Sequence, residues 1–304
     1  MRICIVGAGA LGSLFGGLLA RAGASVSLYN PSNVEHIHAI AREGLRIERD
    51  GTSVKVPVEA TTTLDALQGA DLVGIFVKAH QTARALEQIA PQLNRQSWVL
   101  SLQNGVGMES EILKFVSQER FLRGVTAHGA TLLGPGRVRW AGVGPTKLGR
   151  WAGPITPEIE EILALFTRAE IEAEYSDEIE RLLWEKLIIN CAINPLTALF
   201  DQPNGAIVHD PELREIAGAV ACEALRVARA HGVTLTEEEA VVRVETVASQ
   251  TAQNISSMLQ DVRRGRPTEI AYINGAVVRE GRRLHIPTPL NLLLTRVIAE
   301  RSTL

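Results

Sequence analysis

The chain has 304 residues, 46% hydrophobic and 21% charged, with a net charge of −3. This is the composition of an ordinary globular protein of about two domains, and it excludes a disordered, collagenous or disulfide-stapled chain. No basic domain or stripe stands out, so no nucleic-acid partner is expected. Every longer apolar run is broken by a charge, a proline or several glycines, so no membrane span is expected either.

The first residues pair an early Arg2 with an apolar stretch, but Gly7, Gly9 and Gly12 interrupt it. It does not read as a signal peptide. The three cysteines, Cys4, Cys191 and Cys222, are too few and scattered for a disulfide framework or a clustered metal site. They read as small buried hydrophobes, which suits a reducing compartment. The expectation is a cytoplasmic protein, and with no ligand spacing among the histidines either, no bound metal is expected.

In chain order, Arg2–Val6 reads as a buried strand and Leu11–Ala22 as a helix closed by Gly23. Ser25–Tyr29 is a second strand. Alternating apolar residues over Leu45–Val58, around Asp50-Gly51, give a hairpin signal. Asp71–Val77 and Ser97–Leu102 are further strands, with a helix over Gln81–Ala90. Strands alternating with helices imply a parallel sheet with crossover helices. Phe121–Gly149, richer in glycine and β-formers, is expected to supply antiparallel strands that close the sheet. Residues 154–176 hold a helix and a short strand. Beyond that, helical patterns dominate, over roughly 177–194, 211–231, 236–255, 267–284 and 288–301.

Gly7-Ala8-Gly9-Ala10-Leu11-Gly12 is a G-x-G-x-x-G run that follows a strand and opens a helix. In that context it points to a dinucleotide. Gly7 permits the tight turn, Gly9 lets backbone approach a pyrophosphate, and Gly12 lets the helix pack on the sheet. The expectation is therefore an α/β, Rossmann-type domain over 1–175, then an all-helical domain over 176–304. A cleft between them is the default ligand site.

The second strand ends Tyr29-Asn30-Pro31-Ser32, with neither the carboxylate that takes ribose hydroxyls nor an arginine. Without a carboxylate to repel a 2′-phosphate, and with Asn30, Ser32 and Lys78 as donors, the reading favours NADP. Asn30 and Ser32 also suit a turn and helix cap before Val34.

In the second domain, residues 182–195 are apolar nearly all round, as in a buried central helix. Lys186, Asn190 and Asn194 are spaced i, i+4 and i+8, so they form one polar stripe. Such groups are costly to bury unless something polar faces them, which marks a wet site. Ser256 and Ser257, and Glu269 in the first turn of a helix after Pro267, form a second cluster. Each also suits a plain helix end. Asn104, in Leu102-Gln103-Asn104-Gly105, lies past a strand's carboxyl end where cofactors bind, and also suits an Asn-Gly turn. His128 reads as structural.

These segments together resemble the ketopantoate reductase (2-dehydropantoate 2-reductase) family. The resemblance runs the full length, through GAGALG, VKAHQT at Lys78, LQNGVG at Asn104, the WEKLIINCAIN helix, and SSMLQDVRRGRPTEIAYINGAVV. It implies NADPH-dependent reduction of 2-dehydropantoate to pantoate, a step of pantothenate synthesis. It also implies that Lys186 is the catalytic lysine, Asn190 and Asn194 line the substrate site, and Ser257 binds the substrate carboxylate. By the same resemblance, Glu269 would support lysine and substrate, and Asn104 and Lys78 would lie near the cofactor. Where many members carry an arginine for the 2′-phosphate, this chain has Asn30. Two other readings stand beside it: a relative acting on a different 2-oxo acid, and a non-catalytic nucleotide sensor. A monomer and a homodimer fit equally.

Overall fold

The structure, a computed structural model, describes residues 1–301. The chain forms two compact units: Met1–Gln103 with Met108–Ile179, and Asn104–Gly107 with the chain from Glu180 onward.

The first unit opens with β1 (Arg2–Val6), α1 (Ala10–Arg21) and β2 (Ser25–Tyr29). Only Arg2 of β1 is exposed, as expected of a strand covered on both faces. Then come α2 (Val34–Glu43), β3 (Leu45–Arg49), β4 (Thr52–Val56), β5 (Glu59–Thr61) and β6 (Leu72–Ile75). Asp50 and Gly51, between β3 and β4, have φ of 49° and 77°, the tight hairpin turn that Asp-Gly favours. The chain continues through α3 (Thr82–Ile89), β7 (Trp98–Ser101), the short α4 (Glu109–Ile112), β8 (Phe121–Thr126), β9 (Gly129–Gly134) and β10 (Arg137–Gly142). It ends with β11 (Thr146–Arg150), α5 (Pro157–Arg168) and β12 (Ala173–Tyr175).

Eight strands form one sheet in the order β12-β11-β8-β7-β6-β1-β2-β5. The run from β8 to β5 is parallel, and β11 is antiparallel to β8. From β1 the chain moves to β2 on one side and later to β6 on the other. The carboxyl ends of β1 and β6 are therefore the switch point where such sheets bind ligands.

The stretch 121–149 does not simply close this sheet with antiparallel strands. β8 extends it in parallel and β11 returns antiparallel, but β9 and β10 leave it. They build a second, four-stranded sheet, β4-β3-β10-β9, in which β10 runs parallel to β3. Burial explains the division. Val138 and Trp140 of β10, with Leu45 and Ile47 of β3, are all buried. α1 packs on both sheets: a Cβ on Gly16 would collide with Leu28, and one on Gly17 with Leu45 and Ile47. His36 links the parts. Its Nδ1 accepts from the Gly136 N–H at 3.0 Å, so the neutral ring carries its proton on Nε2, 2.9 Å from Ser13 Oγ. His128 is buried and accepts from Trp140 Nε1 at 3.0 Å.

The second unit holds α6 (Ile179–Phe200), α7 (Ala206–His209), α8 (Pro211–Ala228), α9 (Glu237–Gln250), α10 (Ser257–Arg263), α11 (Asn274–Arg283) and α12 (Pro289–Arg301). Leu187, Ile188, Cys191 and Ala192 of α6 share a core with Ala217, Val220, Ala221 and Ala224 of α8. Burial pushes the Cys191 thiol well above its ordinary value, and that of Cys4 up to about 12. Neither is a reactive thiolate.

Helix boundaries differ from the sequence pattern at several points, α9 for instance ending at Gln250 and not near 255, and two of the differences have a clear physical cause. α6 does not end at 194 but runs through Pro195. Pro195 has no N–H for the carbonyl of Cys191, four residues back. Asn274 Nδ2 takes that place, donating to Cys191 O at 3.0 Å. It also donates to Asn291 Oδ1 at 3.0 Å, and Asn291 Nδ2 donates to Glu223 Oε2 at 2.9 Å. The buried Glu223 accepts from the backbone N–H of Leu290 and Asn291 at the start of α12. The second difference is at 267–284. A 3-10 turn, Ile270–Tyr272, precedes α11, and Ile273 (φ −104°, ψ −98°) breaks the path between them. Glu269 therefore stands before that short turn and not inside the first turn of a long helix.

Candidate active site

Gly7 has φ +98°, and a Cβ there would lie 2.5 Å from Val77 N. Only glycine fits. A Cβ on Gly12 would collide with Gly7 O, so this glycine allows α1 to start directly behind the turn. Gly9 differs: its Cβ would meet nothing nearer than Gly7 O at 4.0 Å. Gly7, Ala8 and Gly12 are buried, whereas Gly9, Ala10 and Leu11 are partly open. The first turn of α1 has no side-chain cap and no acidic residue. Its N–H groups have no carbonyl one turn back within the helix, and the dipole there is positive. The open space at Gly9 and the uncapped helix end fit a dinucleotide's phosphates.

At the end of β2, Asn30 Oδ1 accepts from the backbone N–H of Ser32 at 3.0 Å and of Asn33 at 3.2 Å. This is the turn chemistry that the sequence allowed. It occupies the amide oxygen and leaves Nδ2 as the group's donor. Lys78, half-buried, follows β6, and its backbone N–H donates to Gln81 Oε1 at 3.3 Å. All these residues belong to the α/β unit.

Beyond β7 stands a buried polar group that sequence reasoning missed. Gln103 Nε2 donates to Val77 O at 2.7 Å and to Thr82 Oγ1 at 2.8 Å, and its Oε1 accepts from Ser101 Oγ at 3.0 Å. Arg123, fully buried on β8, pairs through Nε with Glu109 Oε1 at 2.8 Å. The strand reads Phe-Leu-Arg-Gly-Val-Thr, and nothing local marks its arginine as internal.

Asn104, Lys186, Asn190, Asn194, Ser257 and Glu269 all belong to the helical unit. Lys186 and Asn104 meet: Nζ donates to Asn104 Oδ1 at 2.9 Å. Asn190, half-buried, lies one turn further along α6, and Asn194 is buried a turn beyond that. Thr197 Oγ1 bonds Asn194 O at 3.0 Å and Ser256 Oγ at 2.8 Å. Ser256 caps α10, accepting from the Leu259 N–H at 3.1 Å, so it is a helix end. Ser257 is the first residue of α10 and half-buried.

Glu269 is buried, and its carbonyl accepts from the Tyr272 N–H at 2.9 Å. The Tyr272 carbonyl in turn accepts from the Val106 N–H at 3.0 Å. Gly105, with φ +83°, lies so close to Tyr272 O that a Cβ would collide with it. The Asn-Gly pair thus lets the loop carrying Asn104 seat against the segment that follows Glu269. A groove between α8 and α9 lies elsewhere in this unit and carries the Arg214–Glu245 ion pair.

Lys186 and Asn104 form an ammonium–amide contact, with Asn190 and Asn194 on the following turns of α6, whereas Ser257 and the buried Glu269 stand on other segments of the same unit. An ammonium so held can stabilise negative charge growing on an oxygen and give it a proton. The family profile described as ketopantoate reductase PanE/ApbA matches residues 3–153, and its C-terminal counterpart matches residues 178–302. This chain belongs to the ketopantoate reductase family. A 2-dehydropantoate 2-reductase of Pyrococcus horikoshii is 38% identical over 304 residues, covering 100% of this chain and 98% of that one. A solved PanE/ApbA family ketopantoate reductase from Ralstonia eutropha JMP134 is 35% identical, with a TM-score of 0.90 over 99% of this chain and 98% of that one. D-mandelate dehydrogenase, solved with NADH and anilino(oxo)acetate, is 28% identical, with a TM-score of 0.93 over 99% and 98%. Membership makes this ketopantoate reductase relative an oxidoreductase of the nicotinamide-dependent class.

Proposed function

We propose that this chain reduces 2-dehydropantoate to pantoate with NADPH. The observation that carries the reading is the bond from Lys186 Nζ to Asn104 Oδ1, in a chain matched end to end by 2-dehydropantoate 2-reductases. Residues 1–175, apart from the Asn104–Gly107 loop that belongs with the helical unit, form the cofactor domain, and 176–304 the substrate domain. Gly7 to Gly12 hold the pyrophosphate. Asn30 and Lys78 donate to the 2′-phosphate, and Asn104 lies by the nicotinamide end and the substrate. When bound, NADPH supplies a hydride to the C2 carbonyl carbon.

The remaining steps belong to the protein. Asn104 fixes the direction of the Lys186 ammonium, and another of its N–H groups donates to the keto oxygen. As that oxygen becomes an alkoxide, Lys186 Nζ stabilises the charge and transfers the proton that completes the alcohol. The buried Glu269 carboxylate supports the ammonium and also contributes to the cofactor site. Asn190 and Asn194 hydrogen-bond the substrate, and Ser257 donates to its carboxylate. The enzyme works in the cytoplasm as a monomer or homodimer.

The fold shared with D-mandelate dehydrogenase favours one second reading, a different 2-oxo acid on the same machinery. A steady-state panel of 2-oxo acids with NADPH and with NADH decides between them. The highest kcat/KM is expected for 2-dehydropantoate with NADPH. No preference for that acid would favour the second reading.

A further inference from the structure

We propose that Arg123 and Glu109 are positioning residues that hold Asn104, and through it Lys186, in the geometry of the reaction. The proposal rests on the catalytic reading of Lys186 given above.

Arg123 leads the fully buried side chains in size. A guanidinium is costly to bury unless its donors are met, and here they are met at both ends of one loop. Nη1 donates to Ser101 O at 3.1 Å, where β7 ends. Nε donates to Glu109 Oε1 at 2.8 Å and Nη2 lies 3.3 Å from Met108 Sδ, where the loop ends. A further bond, Nη1 to Gly124 O at 3.2 Å, fixes the guanidinium to its own strand. The loop between these points carries Asn104. Gln103, the residue before it, is fixed by its own three side-chain bonds, one of them to Ser101.

Fold stability alone does not call for this arrangement. Well-packed apolar residues commonly replace a buried ion pair at no cost in stability. An apolar pair cannot hold Ser101 and Glu109 at fixed separation and orientation. The loop needs that help, because Gly105 and Gly107 both take positive φ and supply no side chain to pack.

The test uses the full chain with NADPH and 2-dehydropantoate. Arg123→Lys keeps the charge but loses the planar fork, and Glu109→Gln keeps the shape but loses the charge. The double change Arg123→Met with Glu109→Leu leaves no unpaired charge and keeps the protein folded, as thermal unfolding will report. Each is measured alone and in an Asn104→Ala background. With Asn104 present, kcat should fall about 10- to 100-fold, the scale of a misplacement near 1 Å, while KM for NADPH changes by less than about twofold. With Asn104→Ala already in place, the same changes should cost less than about twofold in kcat. Equal losses in both backgrounds, or an undiminished kcat in the folded double variant, would overturn the proposal. If Lys186→Ala itself keeps its turnover, the catalytic reading fails instead.

Discussion

Replacing Asn274 by alanine probes how α6, the helix that carries Lys186, continues past a proline. The change removes two donors. Cys191 O and Asn291 Oδ1, each now held at 3.0 Å, lose that partner. Leaving a buried acceptor unmet costs about 1–3 kcal/mol each. Against this, Asn274 Oδ1 is itself buried without a hydrogen-bond partner, and truncation removes it. The difference is a net loss of about 1–3 kcal/mol. Pro195→Ala supplies the missing N–H for Cys191 O, and should therefore stabilise Asn274→Ala more than it stabilises the parent. A coupling of about 1 kcal/mol is expected, within the range for residues that share a partner. Urea unfolding followed by circular dichroism on the four proteins of the cycle measures it. Strict additivity, or an Asn274→Ala protein as stable as the parent, would refute the idea that Asn274 stands in for the proline's absent N–H.

Two other outcomes follow from the same geometry. Gly12→Ala should destabilise the α/β unit, because its Cβ collides with Gly7 O. Gly9→Ala, whose Cβ meets nothing nearer than Gly7 O at 4.0 Å, should keep the parent melting temperature yet weaken NADPH binding in a fluorescence titration. The second concerns pH. Burial holds the His36 imidazole below its ordinary value, so the unfolded chain binds the proton first. Stability from His36 is complete above the ordinary value of about 6.5 and is lost as pH falls through the lower folded value, by at most about 1.4 kcal/mol per pH unit. Between pH 7 and pH 5 the urea midpoint should drop less steeply for His36→Gln than for the parent.

Much of this was legible in the sequence because it is local. A buried apolar run, a glycine turn and a 3.6-residue period specify β1, α1 and β2 within about thirty residues. The polar stripe Lys186–Asn190–Asn194 was visible because only polar groups stand out on an otherwise apolar helix. Features that join distant parts of the chain were not legible. β10 pairs with β3 across some ninety residues, and no local pattern announces a parallel partner at that range. Pro195 reads as a helix stop until Asn274 supplies the missing donor. Arg123 sits in a strand pattern that gives it no reason to be internal, and its carboxylate, Glu109, lies on another element. Glu269 was placed in a longer helix because Pro267 resembles a helix start, and the break at Ile273 depends on packing that a single segment does not encode.

In the proposed reaction the Lys186 ammonium stabilises and protonates the keto oxygen, and Lys186→Ala removes that group. Turnover of 2-dehydropantoate and binding of NADPH are measured side by side on the parent and the variant. NADPH binding should stay within about twofold while kcat falls by about 10²–10⁴-fold. A variant with near-parental kcat would contradict that role of Lys186.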